Sequence, residues 1–189
     1  MKLLEERILQ DGVVINNDIL KVDSFINHQI DVNLINAFAD EVKNYFKDKP
    51  VDKILTIETS GIAMAYAVAE KFANVPLVFA KKSKSATVDE NVYKAEIKSF
   101  TRNMVSTVTV AKPYLKKGEH ILIVDDFLAE GNAGLGLIDM CEQAGSIVVG
   151  FADVIEKEFQ GGKNRIQEKG IEVFSGAVIK AFKDNKPVF

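Results

Sequence analysis

Ile121-Leu122-Ile123-Val124-Asp125-Asp126-Phe127-Leu128-Ala129-Glu130-Gly131-Asn132-Ala133-Gly134 sets four aliphatic residues, two adjacent carboxylates, a small-residue turn and a helix-like start in that order. Four aliphatics in a row suit a strand buried on both faces of a parallel sheet, with Asp125 and Asp126 where the chain leaves the carboxyl edge. Consecutive strand side chains point to opposite faces, so the two acids are expected to take different roles. Gly131 suits a positive φ or a close ligand approach, and the helix expected from Ala133 to Glu142 opens with unpaired N–H groups facing the turn. Carboxylates for hydroxyls beside backbone donors for an anion are the two groups that hold a ribose 5-phosphate. Taken alone, the acid pair equally suits a strand that simply ends in a solvated turn.

The surrounding pattern alternates helix and strand. Apolar residues recur at helical spacing from Leu3 to Leu9 and from Val32 to Phe46, and Gly61 to Phe72 also reads as a helix. Strands are expected at Lys53–Ile57, Pro76–Ala80, Ile121–Val124 and Ile147–Ile155, with short extended pieces at 13–15 and 19–22. Such alternation predicts an α/β fold, a central mostly parallel sheet flanked by helices, in one domain over 1–189. The stretch 81–104 is polar and weakly periodic and is read as a long loop, with Val105–Val110 as the return strand of a hairpin over the site.

Composition narrows the function. With 47% apolar content in 189 residues the chain can bury one sizeable core, and a net charge of −3 with dispersed lysines gives no footprint for nucleic acid. The local run Lys81-Lys82-Ser83-Lys84 suits a small polyanion instead. The single cysteine, Cys141, leaves no partner for an internal disulfide and reads as a buried thiol. No segment approaches an apolar span of ~20 residues, so a cytoplasmic protein without membrane contact is expected.

Three further segments extend the pattern: Leu20-Lys21-Val22-Asp23-Ser24-Phe25-Ile26-Asn27-His28-Gln29-Ile30-Asp31, Thr56-Ile57-Glu58-Thr59-Ser60-Gly61-Ile62-Ala63 and Val154-Ile155-Glu156-Lys157. With the 124–133 loop, they resemble, in order and spacing, the type I phosphoribosyltransferases, and most closely the bacterial branch that acts on xanthine. The resemblance implies a small N-terminal hood built from about 1–30 and the C-terminal segment, and a flexible loop at about 81–104. It implies transfer of the phosphoribosyl group from phosphoribosyl pyrophosphate to xanthine in purine salvage.

Residue by residue, Asp125 and Asp126 become the catalytic carboxylates, and Ala129, Glu130, Gly131, Asn132 and Ala133 the loop that holds the 5-phosphate. Ser60 and Gly61 would hold pyrophosphate at a turn that carries a cis peptide in this family, and Lys81 and Lys82 would contact it, often across a homodimer. Leu20, Asn27 and Lys157 would bind the purine: an apolar wall, a donor to the 2-oxo group and a donor to the 6-oxo group. Phe151 and Phe159 are candidates for stacking on the base or for core packing. Mg2+ would be carried mainly by pyrophosphate oxygens and water, without a dedicated protein metal site. Many 6-oxopurine enzymes of the family have an acid where this chain has Ala129, and a hydroxyl where it has Ala133. The competing expectations are hypoxanthine or guanine as the base, and a regulator that senses phosphoribosyl pyrophosphate on the same fold.

Overall fold

The computed structural model describes residues 1–83, 91–99 and 104–189. Its centre is a seven-stranded sheet: β3 (Lys53–Ile57), β4 (Leu77–Ser83), β5 (Val92–Ser99), β6 (Met104–Ala111), β7 (His120–Leu128), β8 (Ile147–Lys157) and β9 (Val173–Ile179). The order across the sheet is β5-β6-β4-β3-β7-β8-β9. Strands β4, β3, β7, β8 and β9 run parallel, and β6 joins β4 antiparallel. The expected α/β class holds.

Helices α2 (Val32–Tyr45) and α3 (Gly61–Lys71) cover one face with α1 (Lys2–Asp11), and α4 (Asn132–Ala144) and α5 (Gly162–Gln167) cover the other. Each face has its own apolar cluster, one around Phe25, Phe38 and Phe46 and the other around Leu55, Ile123 and Phe151. The central strands are buried on both sides, β3 along its whole length, which is why they read as mainly aliphatic, Ile121–Val124 without a break. Cys141 is buried within the second cluster.

Two hairpins stand beside this sheet. One is β1 (Val13–Ile15) with β2 (Ile19–Lys21), and the other is β10 (Ala181–Lys183) with β11 (Lys186–Val188). Their turns carry consecutive positive-φ residues that Asn and Asp tolerate, Asn16–Asn17 in a three-residue loop and Asp184–Asn185 in a two-residue loop that needs this backbone. The tips lock reciprocally: Asn17 N donates to the Asn185 side chain at 3.0 Å, and Asn185 N donates to the Asn17 side chain at 2.6 Å. A π-helical turn, Asp23–Asn27, then leads toward α2.

The structure revises several expected boundaries. Strand β7 continues through both acids to Leu128 instead of ending at Val124, because the longer β8 keeps pairing with it through Phe127–Ile155 and Leu128–Glu156. Strand β4 runs to Ser83, so Lys81 and Lys82 lie within a strand and not after one. Val92–Ser99, expected as loop, pairs with β6 over eight residue pairs, and Ala95 and Ile97 bury their side chains in the second cluster beside α4. Their alternation was obscured by lysine and glutamate on the opposite face of the strand. The remainder of the expected loop, 84–90 and 100–103, lies outside the described residues.

Helix α2 is capped by Asp31, whose Oδ1 accepts from Asn33 N and Leu34 N at 3.1 Å each, while Oδ2 accepts from Arg7 Nη1 at 3.0 Å. Asp31→Ala removes the cap and the tie to α1. It is expected to cost about 1–2 kcal/mol and to lower the melting temperature by about 2–8 °C in thermal unfolding, whereas Asp31→Asn, which can still cap, falls less.

Candidate active site

The sheet changes winding direction between β3 and β7, the place where open α/β sheets leave a crevice at their carboxyl edge. The β3–β7 pairing is registered only as far as Leu55–Ile123, while β7 runs on beside β8. The crevice so opened has a volume of about 480 Å³. Its walls are the turn Glu58–Gly61, the β7 end and following loop from Asp125 to Gly134, and Lys82, Ile97, Ser106 and Val108 from the neighbouring strands.

Asp125 is buried, and its Oδ1 accepts from Asp126 N at 3.0 Å. Burial, then the neighbouring Asp126 charge, holds its carboxyl well above the usual range. Burial also raises Asp126, though hydrogen bonds from Asp125 and the Ser60 side chain work in the opposite direction. Asp126 is therefore the more readily ionised of the pair. The two acids differ in setting: one is set into the protein, and the other is partly open to the crevice.

Gly61 lies against both strands. A Cβ there would collide with the Thr56 hydroxyl and stand 3.2 Å from Asp125 Oδ1, so this position requires glycine for close approach rather than for its φ. The Glu58–Thr59 peptide is cis. Glu58 Oε1 accepts from Lys82 N at 2.7 Å, which ties this turn to β4.

The loop after β7 is shaped by two further contacts. Gly131, at φ 79°, caps α4 with left-handed backbone, and Leu135 N donates to Gly131 O at 2.9 Å as α4 begins. Gly131 to Gly134 line the crevice, at the helix end where first-turn amides lack an intrahelical acceptor. Arg165 of α5 holds the loop from outside, its Nη1 donating to Glu130 O at 2.5 Å and to Asn132 Oδ1 at 2.9 Å. Glu130 Oε2 accepts from Asn132 Nδ2 at 2.9 Å. The expected phosphate residues Ala129, Glu130, Gly131, Asn132 and Ala133 thus line one wall with Asp125 and Asp126, and Ser60 and Gly61 line the opposite one.

The other expected residues are placed differently. Lys82 lines the crevice, but Lys81 does not, because adjacent strand residues face opposite ways; its ammonium stands 5.7 Å from the centre of the exposed Phe79 ring. Leu20 is buried in the first apolar cluster, and Asn27 is exposed in the π-helical turn. Lys157 ends β8, and its Nζ donates to Asp18 O at 3.0 Å, in the turn of the first hairpin. Burial lowers its pKa. Leu20 lies within the first hairpin, Lys157 is tied to its turn and Asn27 follows in the π-helical turn; none of the three lines the crevice. Register connects the two regions, since Leu128 pairs with Glu156 and so sets Lys157 level with the start of the 129–133 loop.

Phe151 is fully buried in the second cluster beside Gly134, so its place is core packing. Phe159 is half exposed and packs edge-on against Phe182 at 5.6 Å, the ring that also lies 5.7 Å from Lys157 Nζ. Sequence reasoning missed Arg165 and the crevice residues Ile97 and Ser106. Arg165 had no signal, since it stands thirty-five positions from the loop it holds.

Comparison with known proteins agrees with this geometry. The family model for the phosphoribosyl transferase domain matches residues 21–179. The chain is 52% identical over 189 residues to the xanthine phosphoribosyltransferase of Clostridium tetani, covering all of both chains. It is 52% identical over 188 residues to that of Clostridioides difficile, covering 100% of this chain and 98% of the relative. Among solved structures, adenine phosphoribosyltransferase of Trypanosoma brucei superposes with a TM-score of 0.78 at 17% identity, over 98% of this chain and 85% of that one. The Giardia lamblia enzyme bound to 9-deazaadenine gives 0.68 at 27% identity, over 76% and 78%. With a family model over most of its length and relatives matched end to end, the chain belongs to the phosphoribosyltransferase family.

Proposed function

We propose that this protein transfers the 5-phosphoribosyl group from phosphoribosyl pyrophosphate to xanthine, releasing xanthosine 5′-monophosphate and pyrophosphate. The observation that carries the reading is the crevice itself, which sets Asp125 and Asp126 between two backbone anion turns, in a chain that matches xanthine-named relatives end to end.

In this reaction a purine nitrogen bonds to the anomeric carbon as the bond to the pyrophosphate oxygen breaks, through a transition state resembling an oxocarbenium ion. The 5-phosphate lies on the amides of 130–133, the ribose hydroxyls meet Asp125 and Asp126, and pyrophosphate lies on Ser60, Gly61 and Lys82. The ionised Asp126 sits where positive charge develops on the ribose. Ile97, Ser106 and Val108 form the roof that limits water. Ala129 cannot accept the purine proton, a gap that suits xanthine, which is more acidic than hypoxanthine and arrives partly as its anion.

At the base, Lys157 leaves the Asp18 carbonyl to donate to the 6-oxo group, Asn27 donates to the 2-oxo group, and Leu20 supplies an apolar wall. The lowered pKa of Lys157 reflects a cation held in a dry pocket, where a hydrogen bond to a substrate oxygen counts for more. Among the described residues no cluster of three metal-ligating side chains stands together, and the crevice carboxylates suit hydrogen bonds to metal-bound water. Mg2+ fits this site as a passenger of the pyrophosphate, where it would neutralise leaving-group charge. Lys81, outside its own crevice on the exposed Phe79 face, fits a homodimer in which it reaches the neighbouring subunit's pyrophosphate. Among the described residues no helix is long and apolar enough to cross a membrane, consistent with a role in cytoplasmic purine salvage.

The reading is tested by product formation from phosphoribosyl pyrophosphate and Mg2+ with xanthine, guanine, hypoxanthine, adenine and orotate in turn. Xanthine is expected to have the highest kcat/KM; a hypoxanthine or guanine value equal to it would reassign the base.

Asp126→Asn is expected to lower kcat by about 10²–10³-fold, the usual loss when a developing charge loses its preorganised partner. Its stability is expected to move the other way. A carboxylate raised by burial binds its proton more tightly folded than unfolded, so its ionisation destabilises the fold as pH rises above the unfolded value. At pH 7 both Asp126→Asn and Asp125→Asn should therefore melt at or above the temperature of the unsubstituted protein.

The base contacts separate by substrate. Lys157→Ala should weaken xanthine, guanine and hypoxanthine together. Asn27→Ala should narrow the gap between xanthine and hypoxanthine by about 1–3 kcal/mol, read as the ratio of kcat/KM values. Equal losses on both bases in Asn27→Ala would remove that residue from 2-oxo recognition.

A further inference from the structure

Beneath α5, on the face of the sheet that carries α4, three strands place a polar cluster that the transfer reaction does not use. Asp125, Asp153 and Ser175 lie side by side in register on β7, β8 and β9. Asp153 is fully buried, and so is Glu156 on the same strand. Ser175 Oγ stands 2.8 Å from Asp153 Oδ2 and 2.7 Å from Glu156 Oε2. Lys163, the second residue of α5, reaches Glu156 Oε2 at 3.1 Å.

The hydrogen count at Ser175 decides the charge state. A hydroxyl has one hydrogen to donate, so it cannot serve two ionised carboxylates at these distances. One of the two acids therefore brings a proton of its own. Glu156 accepts from the ammonium of Lys163, whereas Asp153 has no cation in contact among the described residues. Asp153 Oδ1 and Glu156 Oε1 are both buried with no hydrogen-bond partner, so it is the ammonium that sets the proton on Asp153 rather than on Glu156. Burial, with the nearby negative charges of Glu156 and Asp126, likewise pushes Asp153 well above the usual range, against the Ser175 hydrogen bond and the Lys163 charge. The order is then Asp153 O–H to Ser175, Ser175 O–H to Glu156, and Lys163 N–H to Glu156.

This chain of bonds ends on the 129–131 loop. Gly162, directly before Lys163, donates its N–H to Ala129 O at 3.0 Å. The contact is so close that a Cβ on Gly162 would collide with that same carbonyl, and one on Gly131 would lie 3.0 Å from Gly162 O. We propose that Lys163, Glu156, Ser175 and Asp153 form a positioning relay that pins the start of α5 to the sheet and, through Gly162, sets the 129–131 loop for its phosphate, with Asp153 holding the shared proton. Its neutrality keeps a third carboxylate charge away from Asp125 and Asp126, which already face a polyanionic substrate. The inference rests on 129–133 being the phosphate loop.

Steady-state kinetics on Lys163→Met, Lys163→Arg, Asp153→Asn and Gly131→Ala test it, with melting temperatures measured alongside. Lys163 is partly exposed, but Lys163→Met leaves Glu156 buried without its cation, and the melting temperatures separate that cost from the kinetic effect. Lys163→Met is expected to raise the KM for phosphoribosyl pyrophosphate about tenfold, with kcat and the xanthine KM within about twofold, and Lys163→Arg to restore most of it. Asp153→Asn, neutral like the residue it replaces, is expected to keep the donor KM within about twofold at neutral pH. In the unsubstituted protein the donor KM should climb on the alkaline side as Asp153 loses its proton beside Asp125, Asp126 and Glu156, and Asp153→Asn should flatten that climb. A donor KM in Asp153→Asn as high as in Lys163→Met, or donor and xanthine KM values rising equally in Lys163→Met, would overturn the relay. Gly131→Ala separates the two levels: if it leaves the donor KM unchanged, the phosphate-loop assignment fails; if it alone raises that KM, only the relay fails.

Discussion

Two carboxylates on adjacent residues at the end of a buried strand repel each other and resist losing water, and the surroundings of Asp125 and Asp126 answer that cost. Asp125 is set inward, against Gly61 and the Asp126 amide, and Asp126 is left open to the crevice with Ser60 beside it. Both walls of the crevice follow from this arrangement. Gly61 has no room for a side chain because β3 must deliver its turn within reach of Asp125. Strand β7 must outrun its pairing with β3 for the acids to border open space while still being held by β8. A site that keeps such groups is less stable than the same fold without them, which is the ordinary relation between stability and function.

The second constraint lies at the end of β8. Glu156 and Lys157 are consecutive, and each secures a different neighbour: Glu156 holds α5 through Lys163, and Lys157 holds the first hairpin through Asp18. That hairpin is locked in turn to the last one by the Asn17 and Asn185 side chains. A short piece of one strand thus connects the 129–133 loop with the two hairpins. Motion of Lys157 onto a purine oxygen would release one of those ties, so base binding and hairpin position are coupled through a single ammonium.

Much of this was legible in the residues, and the physical reason differs by region. The parallel core showed itself because strands buried on both faces are mainly aliphatic, unbroken in Ile121–Val124 and interrupted only by Thr56 in Ile54–Ile57. The acid pair and Gly131 stood out by their place between an aliphatic run and a helix start, although the pair alone suits a solvated strand end equally well. Strand β5 did not, since Val92–Ser99 carries Lys94, Glu96 and Lys98 between its inward residues and looks like a polar loop until α4 is placed beneath it. The extension of β7 past the acids was also hidden, because it depends on pairing with β8 and not on local preference. The contacts of Arg165 and Lys163 join residues far apart in the chain, and nothing local announces them.

The central claim is that one crevice between β3 and β7 holds the ribosyl phosphate while Lys157 turns from the hairpin to the base. A crystal structure with xanthosine 5′-monophosphate tests it most directly. The account predicts the 5′-phosphate on the amides of residues 130–133, the ribose hydroxyls on Asp125 and Asp126, and Lys157 Nζ bonded to the 6-oxo group and no longer to Asp18. A nucleotide whose phosphate lies away from that loop, or a Lys157 that stays on the Asp18 carbonyl beside a bound base, would contradict it.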